Sequence, residues 1–176
     1  LQASGNYNMD EEEEKILIPI NRLEATESLI DLSLNIKSSK SKSKLYALNI
    51  IDNSIMDEAM EVKAKQIVEK AVITASATDH KLEPLIRYDI NIVNGIMSVV
   101  KEHKITDLIL GLHKQKGFSK SFLGSLTDGI LNKCNTTTLI YKYTQLLSTI
   151  KRHLILVPEN AEQEIGFQLW LINVWN

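Results

Sequence analysis

The sequence is poor in the features that mark several classes of protein. Its 176 residues include one cysteine, Cys134, which excludes an internal disulfide framework and a cysteine-rich metal site. No apolar run approaches the roughly 20 residues of a membrane-spanning helix, and the N-terminus lacks a signal-peptide pattern. The formal net charge of −2 argues against a nucleic-acid binder, which usually carries a clear basic excess. We therefore expect a soluble chain in which any anion site is local.

The remaining composition is that of a globular protein, with 44% hydrophobic and 24% charged residues. The length predicts one well-cored domain plus a fragment. Residues 1–14 have no apolar periodicity and end in five consecutive acids, which repel one another and resist packing. We interpret this segment as an acidic linker.

Residues 15–142 alternate between short apolar runs and segments of helical periodicity. Pro19 is tolerated because it lies near the end of the first run. The runs predict strands at 15–20, 45–51, 84–90, 106–111 and 136–142, with amphipathic helices between them. Strands that alternate with helices predict an α/β fold, an open five-stranded parallel sheet with helices on both faces.

The last 26 residues resemble the first strand and helix of the domain. When Pro19 is aligned with Pro158, Asn21 matches Asn160 and an apolar run precedes each proline. Such an internal repeat predicts a linker at 143–150 and, at 151–176, the start of a second copy of the domain. Chance similarity of two strand–helix units is the alternative. The tail would need another sheet edge or subunit on which to pack.

The candidate site lies in the segment that joins the fourth strand to the next helix. Ligands of open parallel sheets bind at the carboxyl ends of the strands, where helix N-termini offer unpaired amides to anions. Here Gly124 would let a phosphate approach the backbone, beside the hydroxyls of Ser125 and Thr127. The alternative is that Ser125 merely caps the helix. Lys114, Lys116 and Lys120 either add a positive field or belong to a solvated loop.

The glycine spacing in this segment resembles the nucleotide loop of the universal stress protein family. In that family the pattern is glycine, two residues, glycine, nine residues, glycine and a serine or threonine. Gly111, Lys114 and the Gly124-Ser125 pair occupy those positions here. The order of elements over residues 15–142 is similar as well. The resemblance implies a Rossmann-like fold of the adenine nucleotide alpha hydrolase type and a site for ATP or AMP.

Carried over position by position, the resemblance implies a nucleotide site built from three strand ends and one helix start. The candidate residues are Pro19, Ile20, Asn21, Ile50, Leu110, Gly111, Lys114, Gly124, Ser125, Leu126 and Thr127. Two of them depart from the family pattern. Asn21 stands where ATP binders have aspartate, so the ribose acceptor would be a neutral amide. Lys114 replaces a glycine, and its ammonium could reach a phosphate as a point charge. A degenerate, empty site is the alternative.

No pattern in the sequence predicts catalysis. His80, His103, His113 and His153 are scattered, and none has a second ligand at metal-binding spacing. Asp52, after the second strand, could hold a phosphate-bound metal, although a turn or capping role fits its position better. We expect a protein that is not an enzyme, with no catalytic and no metal-binding residues.

The resemblance also extends to a cellular context. Tandem domains of this family occur as free proteins and as cytoplasmic tails of transporters. The acidic linker, the apparent second repeat and the two departures favour the C-terminal region of a bacterial sodium/proton antiporter. This assignment implies a homodimer at the cytoplasmic side of the inner membrane, attached to an upstream transporter domain and regulated by a nucleotide. The alternatives are a free cytosolic stress protein that binds ATP or AMP, and a ligand-free dimerisation module.

Overall fold

The computed structural model describes residues 13–37, 43–54, 57–112, 124–164 and 166–175. The strands are β1 Lys15–Pro19, β2 Lys44–Ile51, β3 Leu82–Tyr88, β4 Asp107–Gly111 and β5 Thr137–Tyr141. The helices are α1 Leu23–Ile36, α2 Glu58–Ser76, α3 Ile92–His103, α4 Ser125–Lys133 and α5 Phe167–Trp175. Two short 3-10 turns lie at Leu147–Thr149 and Ala161–Gln163.

The five strands form one parallel sheet in the order β3-β2-β1-β4-β5. The predicted α/β fold is therefore confirmed. β1 lies at the centre of the sheet, where Leu17 and Ile18 are wholly buried. Pro19 ends this strand, and the next residue, Ile20, resumes the pairing by donating its amide to the Leu48 carbonyl at 2.8 Å. The proline thus costs the sheet only the one amide that it lacks.

The helices cover the two faces of the sheet in pairs. α1 and α2 pack on the face that presents Ile16 and Ile18, whereas α3 and α4 pack on the face that presents Leu17. Because successive side chains of a strand point to opposite faces, a strand covered on both sides must be apolar throughout. This double burial explains the uninterrupted apolar runs of the sequence.

The four helices of the domain begin in two different ways. Asp57 caps α2 by accepting from the Ala59 amide at 2.9 Å, and Asn91 caps α3 by accepting from the Asn94 amide at 3.1 Å. The cap positions of α1 and α4 are Arg22 and Gly124, and no side chain of the described residues caps either helix. These two helices are the ones that follow β1 and β4.

Hydrogen bonds tie together the amino-terminal ends of the strands. The Lys44 amide donates to the Glu14 carbonyl at 2.8 Å, and the Lys44 ammonium lies 2.9 Å from the Glu13 carboxylate. The last two acids of the sequence segment that we interpreted as a linker therefore contact β2. Thr106 Oγ1 accepts from the Lys15 amide at 2.9 Å and donates to the Asp107 carboxylate at 2.7 Å. Burial raises the pKa of Asp107, an effect that the Thr106 hydroxyl partly offsets.

The tail beyond the domain is exposed. Residues 151–157 form no strand, although they repeat the apolar pattern of β1. Leu154 and Leu156 are 87% and 79% exposed. A helix, α5, forms where the aligned repeat has α1, and within it the rings of Phe167 and Trp170 stack with centroids 5.6 Å apart. The second repeat stays a prediction.

Within the described ranges, no helix is both long and apolar enough to cross a bilayer.

Candidate functional site

A cleft opens at the carboxyl ends of β1 and β4, the two strands between which the strand order reverses. The chain leaves β1 toward β2 on one side and leaves β4 toward β5 on the other, so the two connections diverge. Such a switch point is where open parallel sheets bind ligands. The cleft has a volume of about 60 Å³ and is lined by Pro19, Ile20, Asn21, Leu48, Ile50, Ile92, Ile96, Leu110, Gly111 and Leu126.

Seven of the eleven predicted site residues line this one cleft. They are Pro19 at the end of β1, Ile20 and Asn21 after it, Ile50 in β2, Leu110 and Gly111 in β4, and Leu126 in α4. The Asn21 side chain is exposed at the mouth, where the resemblance implies a ribose. Lys114 lies outside the described residues, as do Lys116, Lys120 and His113. The roles of these residues in binding remain predictions.

The start of α4 borders the same cleft. Gly124 has φ 87° and ψ 153°, a backbone conformation that is essentially restricted to glycine. Its carbonyl accepts the first helical bond, from the Asp128 amide at 3.0 Å. Ser125 is therefore the first residue inside the helix, and the interpretation that Ser125 caps the helix is wrong. Ser125 is exposed, whereas Thr127 is buried and its side chain packs inside the domain.

Asn49 holds the loop that carries Asn21, and the sequence analysis missed it. Its buried side-chain amide donates to the Ile20 carbonyl at 2.7 Å, so it fixes the chain at the point where β1 ends. The signal was a single amide inside the apolar run of β2, since a buried polar side chain requires a partner. The walls contributed by Leu48, Ile92 and Ile96 were also missed, because their periodicity indicates only a core position.

Gly95 allows one wall of the cleft to lie close to α3. A Cβ atom at position 95 would lie 2.8 Å from Ile50 Cδ1 and 3.2 Å from the Asp89 Cβ. The first distance is too short for two carbon atoms, so any larger residue would push the Ile50 side chain. Because Ile50 lines the cleft, this glycine helps to set the space between the walls.

Asp52 forms a turn at the end of β2. Its Oδ1 atom accepts from the Ser54 amide at 2.9 Å and from the Ser54 hydroxyl at 2.6 Å. Both hydrogen bonds lower the pKa of Asp52, the one from the hydroxyl more than the one from the amide. The predicted turn role is confirmed. Among the residues that the structure describes, no group of three histidine, cysteine or acidic side chains is arranged to hold a metal.

The described histidines lie away from the cleft. His80 precedes β3, where its Nδ1 lies 3.1 Å from the Thr78 hydroxyl. The ring of His103 packs edge-on against Tyr46, with centroids 5.0 Å apart, near the amino-terminal end of the sheet. His153 lies in the exposed tail. None of these three lines the cleft that holds the predicted site.

A comparison with protein families assigns the domain. The pattern of the universal stress protein family matches residues 13–142. The chain belongs to the universal stress protein family. A search of curated proteins finds no match.

Solved structures of universal stress proteins share the fold. The protein from Archaeoglobus fulgidus matches with a TM-score of 0.62 and 13% identity, over 72% of this chain and 97% of that one. Its complex with dAMP matches with a TM-score of 0.59 and 12% identity, over 72% and 96%. An Arabidopsis thaliana family protein with AMP bound matches with a TM-score of 0.56 and 12% identity, over 74% and 92%. At such identities the likeness shows the fold alone.

Proposed function

We propose that this universal stress protein domain binds an adenine nucleotide in the cleft between β1 and β4. The observation that carries the proposal is the start of α4 at the switch point, where the cap position is a glycine and no side chain of the described residues caps the helix. Asp57 and Asn91 occupy the equivalent ends of α2 and α3, so the chain caps helices where no ligand is expected. At α4 a glycine in a conformation reserved for glycine places no side chain beside the first amides, which are the groups that bind phosphates at helix starts.

The walls of the cleft suit the adenine ring of a nucleotide. Ile50, Leu110 and Leu126 present apolar surface on which a planar ring can pack, and Gly111 offers its backbone. The free volume of about 60 Å³ is far below the roughly 300 Å³ of the smaller ligand pockets. A nucleotide must therefore move apolar side chains as it enters. Ile92 can move at low cost because 45% of its surface is already exposed.

Asn21 is the proposed ribose contact. It is exposed at the mouth of the cleft, and its amide can donate to one ribose hydroxyl and accept from another. An aspartate would accept from both hydroxyls with a full charge, and charged hydrogen bonds are the stronger ones. We therefore expect weaker ribose binding than an aspartate would provide. The proteins of this fold that bind dAMP and AMP support an adenine nucleotide as the ligand class.

We propose binding without turnover. Asp52 is engaged by Ser54, and the three described histidines lie outside the cleft. Neither Asp52 nor these histidines is therefore positioned as a general base beside the proposed phosphate site. The expected result is that AMP binds and that ATP hydrolysis stays at the rate of the buffer.

The finer proposal is that the domain regulates a bacterial sodium/proton antiporter. Its support is the resemblance of the tail to a second domain and the departures at Asn21 and Lys114, which suit a sensor more than an ATP-consuming protein. As a homodimer on the cytoplasmic side of the membrane, the domain would bias transport only if the nucleotide bound two packing states with different affinity.

The substitution Ser125→Asp tests the nucleotide proposal. A carboxylate at the first position of α4 favours the helix N-terminus but repels a phosphate. We expect AMP affinity, measured by isothermal titration, to fall by about tenfold or more. The melting temperature should stay the same or rise, because the substituted residue is exposed.

Ser98→Asp is the matched control. Ser98 is exposed on α3, does not line the cleft and undergoes the same change of charge. It should leave AMP affinity unchanged. Equal affinities for the two variants and the parent chain would contradict phosphate binding at α4.

The antiporter proposal needs a different measurement. Deleting this region from the full open reading frame, in cells that depend on the encoded transporter for growth in sodium, should change the pH or nucleotide response of transport. A reading frame with no membrane spans would contradict the antiporter and leave a free stress protein, whereas the nucleotide site would be unaffected by that result.

A further inference from the structure

A second and larger cleft lies at the same edge of the sheet, on the opposite face from the cleft proposed for the nucleotide. It has a volume of about 550 Å³, within the range of small-molecule sites. Its lining comes from the start of α1, the end of β4 and the end of β5. The residues are Arg22, Glu24, Ala25, Leu29, Gly111, Leu112, Tyr141, Lys142, Tyr143 and Thr144. Among the described lining residues, only Gly111 is shared with the first cleft.

Part of the lining of this second cleft is apolar or aromatic. Leu29 is buried, and the half-buried ring of Tyr141 packs against the α1 face of the core. Burial is the main cause that raises the pKa of Tyr141, followed by Tyr143 and then Asp31. Tyr141 and Tyr143 both line the cleft. A planar apolar molecule would therefore meet apolar surface below it and tyrosine rings beside it.

The described residues of the rim carry two positive charges and one negative charge. Neither Arg22 nor Lys142 has an ion pair within the described part of the chain, and both are exposed. Glu24, the one acid among the described lining residues, also lacks an ion pair there. These described residues thus have an excess of one positive charge. One carboxylate or sulfonate group would balance it, whereas a polyphosphate would place excess negative charge beside Glu24.

We infer that the second cleft binds a small organic monoanion with a planar apolar body. Arg22 and Lys142 receive the acidic group, and Leu29, Tyr141 and Tyr143 contact the ring system. This inference does not depend on the proposed nucleotide site. It concerns a different face of the sheet and a different class of ligand.

The shared Gly111 gives the second cleft a connection with the first. Gly111 is the last residue of β4, and its backbone forms part of the wall of each cleft. Arg22 directly follows Asn21, so the loop after β1 also runs from one cleft to the other. A ligand on either side therefore contacts backbone that the other side uses.

The experiment is a titration of the full chain with naphthoate, followed by amide chemical shifts in NMR spectra. The neutral molecule naphthalenemethanol, which has the same ring system without the charge, is titrated in parallel. Naphthoate should shift the amides of Leu29, Gly111 and Tyr143 and leave that of Leu126 in place. Naphthalenemethanol should bind more weakly.

Charge variants separate this site from any other apolar surface. Arg22→Gln and Lys142→Gln should each weaken naphthoate binding by about threefold to fivefold, as expected for exposed charges, and leave naphthalenemethanol unaffected. Lys133→Gln is the matched control, since Lys133 is an exposed lysine at the end of α4, outside the cleft. Tyr143→Ala should weaken the binding of both naphthoate and naphthalenemethanol, because it removes a ring contact.

Several results would overturn the inference. One is a lack of any naphthoate binding. Another is equal affinity for naphthoate and its neutral counterpart with no effect of Arg22→Gln. A third is a set of shifts confined to Leu126 and Ile92, or to the exposed tail residues Leu154 and Leu156, which would place the molecule elsewhere.

Discussion

The amino-terminal edge of the sheet and the mouths of the two clefts at its carboxyl edge use their polar residues in opposite ways. At the amino-terminal edge, side chains bind one another: Lys44 pairs with Glu13, and Thr106 joins Lys15 to Asp107. At the carboxyl edge, Asn21 and Arg22 have no side-chain partner within the described residues. Both clefts open at this second edge.

The difference shows how a fold of this kind separates stability from binding. A hydrogen bond formed inside the protein stabilises it only modestly, but a buried polar group left without a partner is costly. The amino-terminal edge avoids that cost with internal bonds. At the carboxyl edge, the exposed polar groups stay hydrated and can exchange water for a ligand. Substitutions at the first edge should therefore change stability, and substitutions at the second should change binding.

Gly124→Ala should have the largest effect on ligand binding at the carboxyl edge. The φ of 87° and ψ of 153° would be strained for alanine, at a cost of about 1–3 kcal/mol. We expect the start of α4 to rearrange and AMP affinity to fall by at least tenfold, roughly the loss of one charged hydrogen bond. Isothermal titration and urea unfolding measure the two quantities.

Gly166→Ala serves as the control for this substitution. A Cβ atom at Gly166 meets nothing within 4 Å, so the same chemical change should leave both quantities as they are. Normal AMP affinity in the Gly124→Ala variant would show that the glycine conformation is irrelevant to binding.

Thr106→Val should destabilise the amino-terminal edge of the sheet without changing ligand binding at the carboxyl edge. Valine keeps the shape but loses the hydroxyl that accepts from the Lys15 amide and donates to Asp107. We expect the free energy of unfolding to fall by about 1–2 kcal/mol, with unchanged AMP affinity. Thr137→Val, an exposed position at the start of β5, should change stability by less than about 0.5 kcal/mol. A large loss of AMP affinity in Thr106→Val would contradict the separation of the two edges.

Gly95→Ala should have a smaller effect on ligand binding at the carboxyl edge. Alanine is the better helix former by about 1 kcal/mol, but its methyl group would push Ile50 toward the nucleotide cleft. The two contributions to stability oppose one another, so we expect little change in the melting temperature. AMP affinity should fall severalfold in the same titration. Unchanged affinity would mean that Ile50 does not set the width of the cleft.

Asp107→Asn should give the smallest effect, visible as a pH dependence. Burial raises the pKa of Asp107 above its ordinary value of 3.8, so the folded state binds the proton more tightly than the unfolded state. The resulting stabilisation is complete below that ordinary value and is lost as the pH rises through the folded-state pKa. Asparagine has no such loss.

Urea unfolding at about pH 4 and about pH 7 measures this effect. The free energy of unfolding of the Asp107→Asn variant, relative to that of the parent chain, should be greater at about pH 7 than at about pH 4. A difference in stability that is the same at both values would contradict the raised pKa.

The fold could be predicted from the sequence because strands buried on both faces must be continuous apolar runs. The limits of β3 were displaced from the prediction of 84–90, since the strand spans Leu82–Tyr88. Its start is set by pairing of Leu82 with Leu45 in β2, and a partner in another segment is invisible to a local pattern. For the same reason, residues 153–157 share the composition of β1 but form no strand.

The site was predictable in part. The ends of β1, β2 and β4 converge as parallel topology requires, and the glycine spacing indicated the start of α4. The choice between Gly124 and Ser125 as the cap depended on a backbone angle, which composition does not determine. The second cleft was not predictable, because its lining comes from α1, β4 and the segment after β5.

The exposed run from Leu154 to Val157 favours aggregation of the protein at high concentration. Four consecutive apolar residues without charge, of which two are more than three-quarters exposed, match the composition of segments that add to open strand edges. Turbidity of the isolated chain at high concentration should therefore arise from this segment. A lysine at Leu156 would suppress it without a change in the melting temperature of the domain, because the segment forms no strand of the sheet.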